Sequence, residues 1–362
     1  MSSEVSADAP ALYPVPAQHR TGRAFETDRA ELLEEGPEGA WVSDVLAGCV
    51  RRTIPLGADN EGPLSATLVR MDEPRPDRPE TQHRAPVLHL HGWTDYFYNL
   101  PMARSWAHAG HQFYALDLRK YGRSLRASQS PGYVEDLTHY YAEINEAVRI
   151  IGQENPQAPA PIIHAHSTGG LVAALWAQEH PDAAGALVLN APWLEVPGDL
   201  PARAAVDGLV SPLSHINPTA ALRVPRLENY WESLSVEAHG EWDLHPAWRP
   251  RKSFPMTAGW MRAVTTGHRR VYEGLDLSIP VLVLLSAGTV YRRQWTPEYQ
   301  ENDGVLDVEL LARRAVRLGH LVTVARVPGA MHDVFASAEP VRTQAFDQVH
   351  RWLKAYAPAQ RS

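Results

Sequence analysis

Ser167 stands in His164-Ala165-His166-Ser167-Thr168-Gly169-Gly170, between a run of strand type and a run of helix type. A hydroxyl on a sharp strand-to-helix turn projects off the edge of a sheet, where it can attack a carbonyl. The positions two before and two after such a serine must be small, because strand and helix nearly touch there. Gly169 meets that need, and Ala165 departs from glycine by one methyl. The helix that follows turns its unpaired N-terminal N–H groups toward the reacting carbonyl. A neutral serine is a poor nucleophile. A histidine must take its proton, and a carboxylate must hold that histidine's tautomer. The attack creates a negative oxygen, which two fixed backbone N–H groups must already face. The chain has 17 histidines, so residue type alone singles out none of them.

The surrounding sequence has the rhythm needed to position such a turn. Val50–Leu56 and Leu64–Arg70 read as two strands of a hairpin, joined by the turn-rich Gly57–Pro63. Asp72–His83 is charged and proline-rich and reads as a surface loop. Pro86–Leu90, Phe113–Leu116, Pro161–Ala165 and Ala186–Leu189 are short apolar runs of the fully buried strand type. Between them lie helical stretches at Met102–Ala109, Tyr133–Gly152 and Leu171–Glu179. Apolar strands alternating with amphipathic helices predict βαβ units and a parallel sheet. The rhythm stops at Asn190-Ala191-Pro192. It returns with the strand Ile279–Leu285, the helix Val308–Leu318, the strand Leu321–Val327 and a last helix from Pro340 to Tyr356. The expected organisation is therefore a tail at 1–30, one α/β core made of 31–192 and 276–358, and an inserted helical cap at 193–275. The sheet should be mostly parallel and flanked by helices.

Four pieces carry a resemblance. They are Leu90-His91-Gly92-Trp93, Asp117-Leu118-Arg119-Lys120-Tyr121-Gly122-Arg123-Ser124, His166-Ser167-Thr168-Gly169-Gly170 and Gly329-Ala330-Met331-His332-Asp333. In this order the chain resembles the α/β-hydrolase family, and within it the monoacylglycerol lipase, lysophospholipase and serine aminopeptidase-like branch. The likeness runs from about residue 50 to 355, interrupted by the cap. It departs from the family at Lys120, where glycine is usual. The resemblance implies a serine hydrolase with Ser167 as nucleophile. The oxyanion hole would come from the N–H of Thr168 and, in the loop after the third strand of the fold, from that of Trp93. The Trp93 side chain would wall the pocket or serve only in packing. His91 reads as a histidine that pins this loop. His332, just after the final strand, is the expected base. The acid should follow the strand ending at Leu285. The family's Asp-x-Val-x-Asp-like segment matches Asp303-Gly304-Val305-Leu306-Asp307, with Asp303 first in order. Asp307 comes second, with helix capping as its other reading. Glu195 is an outside candidate, and Asp333 should point elsewhere. A long piece, Ser286–Asn302, separates the strand from this match.

Composition narrows the partners. The formal net charge is −8, from 42 acidic and 34 basic residues, which repels nucleic acid and anionic membrane surfaces. Arg313, Arg314 and Arg317 read as one solvated helix face. Cys49 is the single cysteine, so no internal disulfide can form. The start, Met1-Ser2-Ser3-Glu4, lacks a positive region followed by an apolar run, and no apolar run reaches the ~18 residues of a membrane span. A cytoplasmic protein without membrane insertion is expected. No metal-ligand spacing and no phosphate-binding glycine loop is found, so no metal and no cofactor are expected. The cap carries Trp193, Trp231, Trp242, Trp248 and Trp260. Each could be cap core. Trp193, just past a strand end, is the first choice to line a pocket together with Trp93. Aromatic walls favour an ester with an apolar acyl or aryl part as the small-molecule substrate. A peptidase or amidase with the same triad, an acyltransferase or lyase on the same fold, and an inert binding protein are the rival readings.

Overall fold

The computed structural model describes residues 39–73, 84–198, 208, 210–222 and 228–356. The expected tail at 1–30 lies outside these residues, as does most of the loop from Asp72 to His83. The chain forms strands β1 (Val42–Ser43), β2 (Cys49–Asp59), β3 (Gly62–Met71), β4 (Val87–Leu90), β5 (Phe113–Asp117), β6 (Ile162–His166), β7 (Ala186–Asn190), β8 (Val281–Ser286) and β9 (Val322–Val327). They build one sheet in the order β1-β2-β3-β5-β4-β6-β7-β8-β9. The first three strands join antiparallel, and β5 onward runs parallel.

The helices include α1 (Leu100–His108), α2 (Tyr141–Glu154), α3 (Thr168–Glu179), α4 (Glu228–Leu234), α5 (Ala258–Glu273), α6 (Val308–Ala315) and α7 (Glu339–Tyr356). They cover both faces, and the strands show it in their side-chain alternation. Leu187, Leu189, Val281, Val283 and Leu285 pack with Ile144, Leu171 and Val264 on one side. Ala186, Val188, Leu282 and Leu284 pack with Trp106, Phe346 and Val349 on the other. Burial on both faces is why these strands are nearly continuous apolar runs. No helix among the described residues is long and apolar enough to cross a membrane.

The order β5-β4-β6 places a switch at β4. The chain winds outward to β5 and then returns to β6 on the other side. The loops leaving β4 and β6 therefore diverge above one crevice, the usual ligand position in such sheets. Some boundaries differ from the sequence reading. The helix expected from Tyr133 begins at Tyr141, because the Asp136 carboxylate accepts the Thr138 N–H at 2.9 Å and starts a tight turn at Leu137–Tyr140 instead. The hairpin strands extend through most of Gly57–Pro63, with a bulge between Pro55 and Ala58. The helix expected to reach Leu318 ends at Ala315.

Two buried polar groups brace this core. The Arg123 guanidinium, wholly inaccessible, reaches Asp44 at 2.6 Å and Asp117 at 2.7 Å. It also donates to the Phe97 carbonyl at 3.0 Å. The cluster ties the chain before β2 to the end of β5. Arg123→Met should leave two buried carboxylates uncompensated and cost about 3–5 kcal/mol in urea unfolding. The backbone at Lys120 takes a positive φ of 61°, which explains the usual preference for glycine there. The lysine is held by Asp59 at 2.6 Å and Glu61 at 2.5 Å, at the tip of the β2–β3 hairpin.

His89 on β4 and His164 on β6 are register partners in the core. Burial lowers both, His164 to about 3. Burial likewise lowers His350 to about 3. These histidines fold neutral, whereas the unfolded chain takes up their protons near pH 6.5. Stability is thus fully present above that pH and falls as pH drops from about 6.5 toward 3. In His164→Leu the fall should be shallower by up to about 1.4 kcal/mol per pH unit, measured by urea unfolding between pH 7 and 4.

Candidate active site

The turn between β6 and α3 holds Ser167 at φ 52° and ψ −117°. A non-glycine residue there is strained, and the surroundings hold it in place. The Ser167 N–H donates to the Asn190 carbonyl at 3.0 Å. Its own carbonyl accepts from Trp193 N at 2.9 Å and Gly170 N at 3.0 Å. The crowding anticipated around this serine is present. A Cβ on Gly169 would collide with the carbonyl oxygens of Leu90 and His91, and one on Gly170 would meet Pro192.

His332 follows β9 in the loop that starts at Pro328. Its Nε2 lies 3.1 Å from Ser167 Oγ and its Nδ1 lies 2.8 Å from Asp303 Oδ2. Asp303 and His332 are almost completely buried. The other oxygen, Asp303 Oδ1, accepts the N–H groups of Val305 at 2.8 Å and Leu306 at 2.7 Å, which fixes the carboxylate plane. The two alternative acids are engaged elsewhere. Asp307 caps α6 by accepting from Glu309 N and Leu310 N, each at 3.0 Å. Glu195 pairs with Arg314 at 2.9 Å. Asp333 caps the short turn Val334–Ala336 and accepts from the Asn190 side chain at 2.7 Å.

The loop leaving β4 passes over the serine. A Cβ on Gly92 would stand 3.1 Å from Ser167 Cβ. His91 pins this loop. Its Nε2 accepts the Leu118 N–H at 3.1 Å, so the proton sits on Nδ1 and is donated to the Gly92 carbonyl at 2.8 Å. A peptide group is planar and trans, so fixing the Gly92 carbonyl turns the Trp93 N–H to the opposite side. The N–H of Thr168, the first residue of α3, has no partner within its helix. The Trp93 indole lies 3.8 Å from that of Trp260, and Trp193 lies 5.8 Å from Trp260. Phe254 and Tyr121 close the group at 6.2 and 5.9 Å from Trp93.

Several residues at the site were not anticipated. Asn190 at the end of β7 joins Asp333 and also accepts the Val334 N–H at 3.0 Å, which anchors the His332 loop. A polar residue closing an apolar buried strand was the available signal. His166 donates Nδ1–H to the Asn190 carbonyl at 3.1 Å, and burial lowers its pKa. Tyr230 of α4 stands edge-on to His332 at 5.3 Å, and nothing in the sequence marks it.

The comparisons agree with this architecture. No curated protein matches the chain. A monoacylglycerol lipase from Paleococcus ferrophilus superposes with a TM-score of 0.56 at 20% identity, over 75% of this chain and 96% of that one. A soluble variant of monoglyceride lipase from Saccharomyces cerevisiae, solved with a substrate analog, gives 0.59 at 15% identity, over 84% and 96%. A carboxyl esterase from Bacillus coagulans, solved with glycerol, gives 0.57 at 15% identity, over 84% and 98%. These likenesses show the fold. The sequence profile described as serine aminopeptidase, S33, matches residues 81–290, more than half of the chain. The chain therefore belongs to the serine aminopeptidase S33 family of the α/β-hydrolase superfamily.

Proposed function

We propose that the protein is a serine hydrolase that cleaves carboxylic esters with an apolar acyl or aryl part through an acyl-enzyme. The observation that carries this reading is the chain of contacts from Ser167 Oγ to His332 at 3.1 Å and on to Asp303 at 2.8 Å. Ser167 attacks, His332 takes and returns the proton, and Asp303 holds the imidazole tautomer and stabilises the imidazolium. The N–H groups of Trp93 and Thr168 receive the oxyanion. Residues 193–275 act as a cap over the site. Trp93, Trp193 and Trp260 form its apolar wall, which suits an acyl chain or ring.

The family's description favours amide hydrolysis as a second reading. An aminopeptidase needs a carboxylate that faces the site to hold the substrate's ammonium group. Among the described residues, Asp95 is taken by Arg249, Glu195 by Arg314 and Asp333 by Asn190, which favours esters. A fluorophosphonate probe should label Ser167, and p-nitrophenyl esters of graded chain length should be turned over. Each methylene that enters the aromatic wall should raise kcat/KM by up to about fourfold, from about 0.8 kcal/mol per buried methylene. Faster turnover of the matched p-nitroanilides would replace the ester reading by the amidase one.

A further inference from the structure

The loop after β4 is fastened residue by residue to the cap. The Trp93 ring packs at a tilt against that of Trp260. Thr94 Oγ1 lies 2.7 Å from Ser253 Oγ and accepts the Phe254 N–H at 3.0 Å. Asp95 pairs with the Arg249 guanidinium. The Tyr96 hydroxyl accepts the His245 N–H at 2.9 Å, and the Tyr98 ring meets that of Trp242 at 5.3 Å. Most of these contacts are packing or single neutral hydrogen bonds. The Asp95–Arg249 pair differs, because both partners are charged and their side chains are only 5% and 6% exposed.

The second carboxylate oxygen of that pair reaches Gly92, the loop residue beside Ser167. Asp95 Oδ1 takes Arg249, while Asp95 Oδ2 accepts the Gly92 N–H at 3.3 Å. The carbonyl of the same glycine is held by His91 at 2.8 Å. Gly92 is thus gripped at both its N–H and its C=O, and the next N–H is that of Trp93. Arg249 is itself fixed between the rings of Tyr98 and Tyr230, 5.4 and 5.6 Å from its guanidinium.

We propose that Arg249 is a positioning residue for the oxyanion hole: it anchors Asp95 to the cap, Asp95 holds Gly92, and Gly92 aims the Trp93 N–H. The inference rests on the serine-hydrolase reading above. A donor held by this relay stabilises the transition state more than the ground state, so its loss should fall on kcat.

The test compares Arg249→Met, Arg249→Lys and the double variant Arg249→Met/Asp95→Asn with the parent. The readouts are kcat and KM on one p-nitrophenyl ester, the inhibition constant of a trifluoromethyl ketone, and the thermal midpoint. The ketone adds Ser167 to its carbonyl and places the resulting oxyanion in the hole. Arg249→Met should lower kcat by about 10²–10³, the cost of one lost oxyanion donor, and weaken the ketone by a similar factor with KM unchanged. Arg249→Lys should fall between it and the parent. The double variant removes both buried charges, so its thermal midpoint should recover while kcat stays low. Recovery of kcat and ketone affinity together with stability would overturn the proposal, since Arg249 would then only neutralise Asp95. A change confined to KM would also overturn it. The underlying reading is checked separately, by fluorophosphonate labelling of the parent at Ser167. A parent that does not label refutes the serine-hydrolase reading, whereas a labelled parent with fully active Arg249 variants refutes only the positioning role.

Discussion

Ser167→Ala should abolish ester turnover, with a loss on the order of 10⁶ in kcat and no change in fold. The alanine removes only Oγ. The hydrogen bonds that hold the turn are made by the backbone of residue 167, to Asn190, Gly170 and Trp193, and they survive the substitution. Thermal unfolding should therefore match the parent while p-nitrophenyl ester hydrolysis and fluorophosphonate labelling disappear. Parent-level turnover in the variant would show that this serine is not the nucleophile.

Asp303→Asn should lower kcat by about 10⁴. The reason lies in how the carboxylate is held. Oδ1 accepts two backbone N–H groups, from Val305 and Leu306, so the amide oxygen of asparagine must take that place. The amide NH2 then faces His332 Nδ1, which can only accept. The imidazole proton moves to Nε2 and points at Ser167, leaving no base. Asp307→Asn is the control. Its side-chain oxygen can still cap α6, so activity should stay near the parent value. Equal losses in both variants would refute the assignment of the acid. The measurement is kcat on a soluble ester, with circular dichroism to confirm folding.

Much of the architecture was legible because buried parallel strands leave a plain trace. Runs such as Val281–Leu285 are apolar on both faces, and the serine turn declares itself by the small residues beside it. The carboxylate beside His332 was harder to read. Sequence distance separates Asp303 from β8 by Ala287–Asn302, yet the structure closes that distance. Asp303 donates its N–H to the Gly288 carbonyl at 2.9 Å, and its own carbonyl accepts from Val290 at 2.9 Å. In space it stands at the end of β8, as though the intervening residues were absent. Side-chain pairs that span the chain left no trace at all. Arg249 and Asp95 are 154 residues apart, and each alone looks like an ordinary surface charge. Helix starts were misjudged where a polar side chain captured the backbone first, as Asp136 does before α2.

The piece between β8 and Asp303 leaves and rejoins the sheet at nearly one point. Its outer part meets α4 and the turn after it: Trp295 bonds Ser233 at 2.9 Å and stacks on His239 at 3.6 Å, the Arg292 carbonyl accepts from the Asn229 side chain at 3.1 Å, and Gln300 donates to the His239 carbonyl at 2.6 Å, while Tyr291 is exposed. Doubling the length of such a closed excursion costs only about 0.6 kcal/mol in chain entropy. The Asp303 backbone is fixed by the neck and its carboxylate by the N–H groups of Val305 and Leu306, so the excursion is a replaceable cassette. Its length and composition can drift, or be redesigned, to reshape the rim beside α4 while Asp303 keeps its address beside His332.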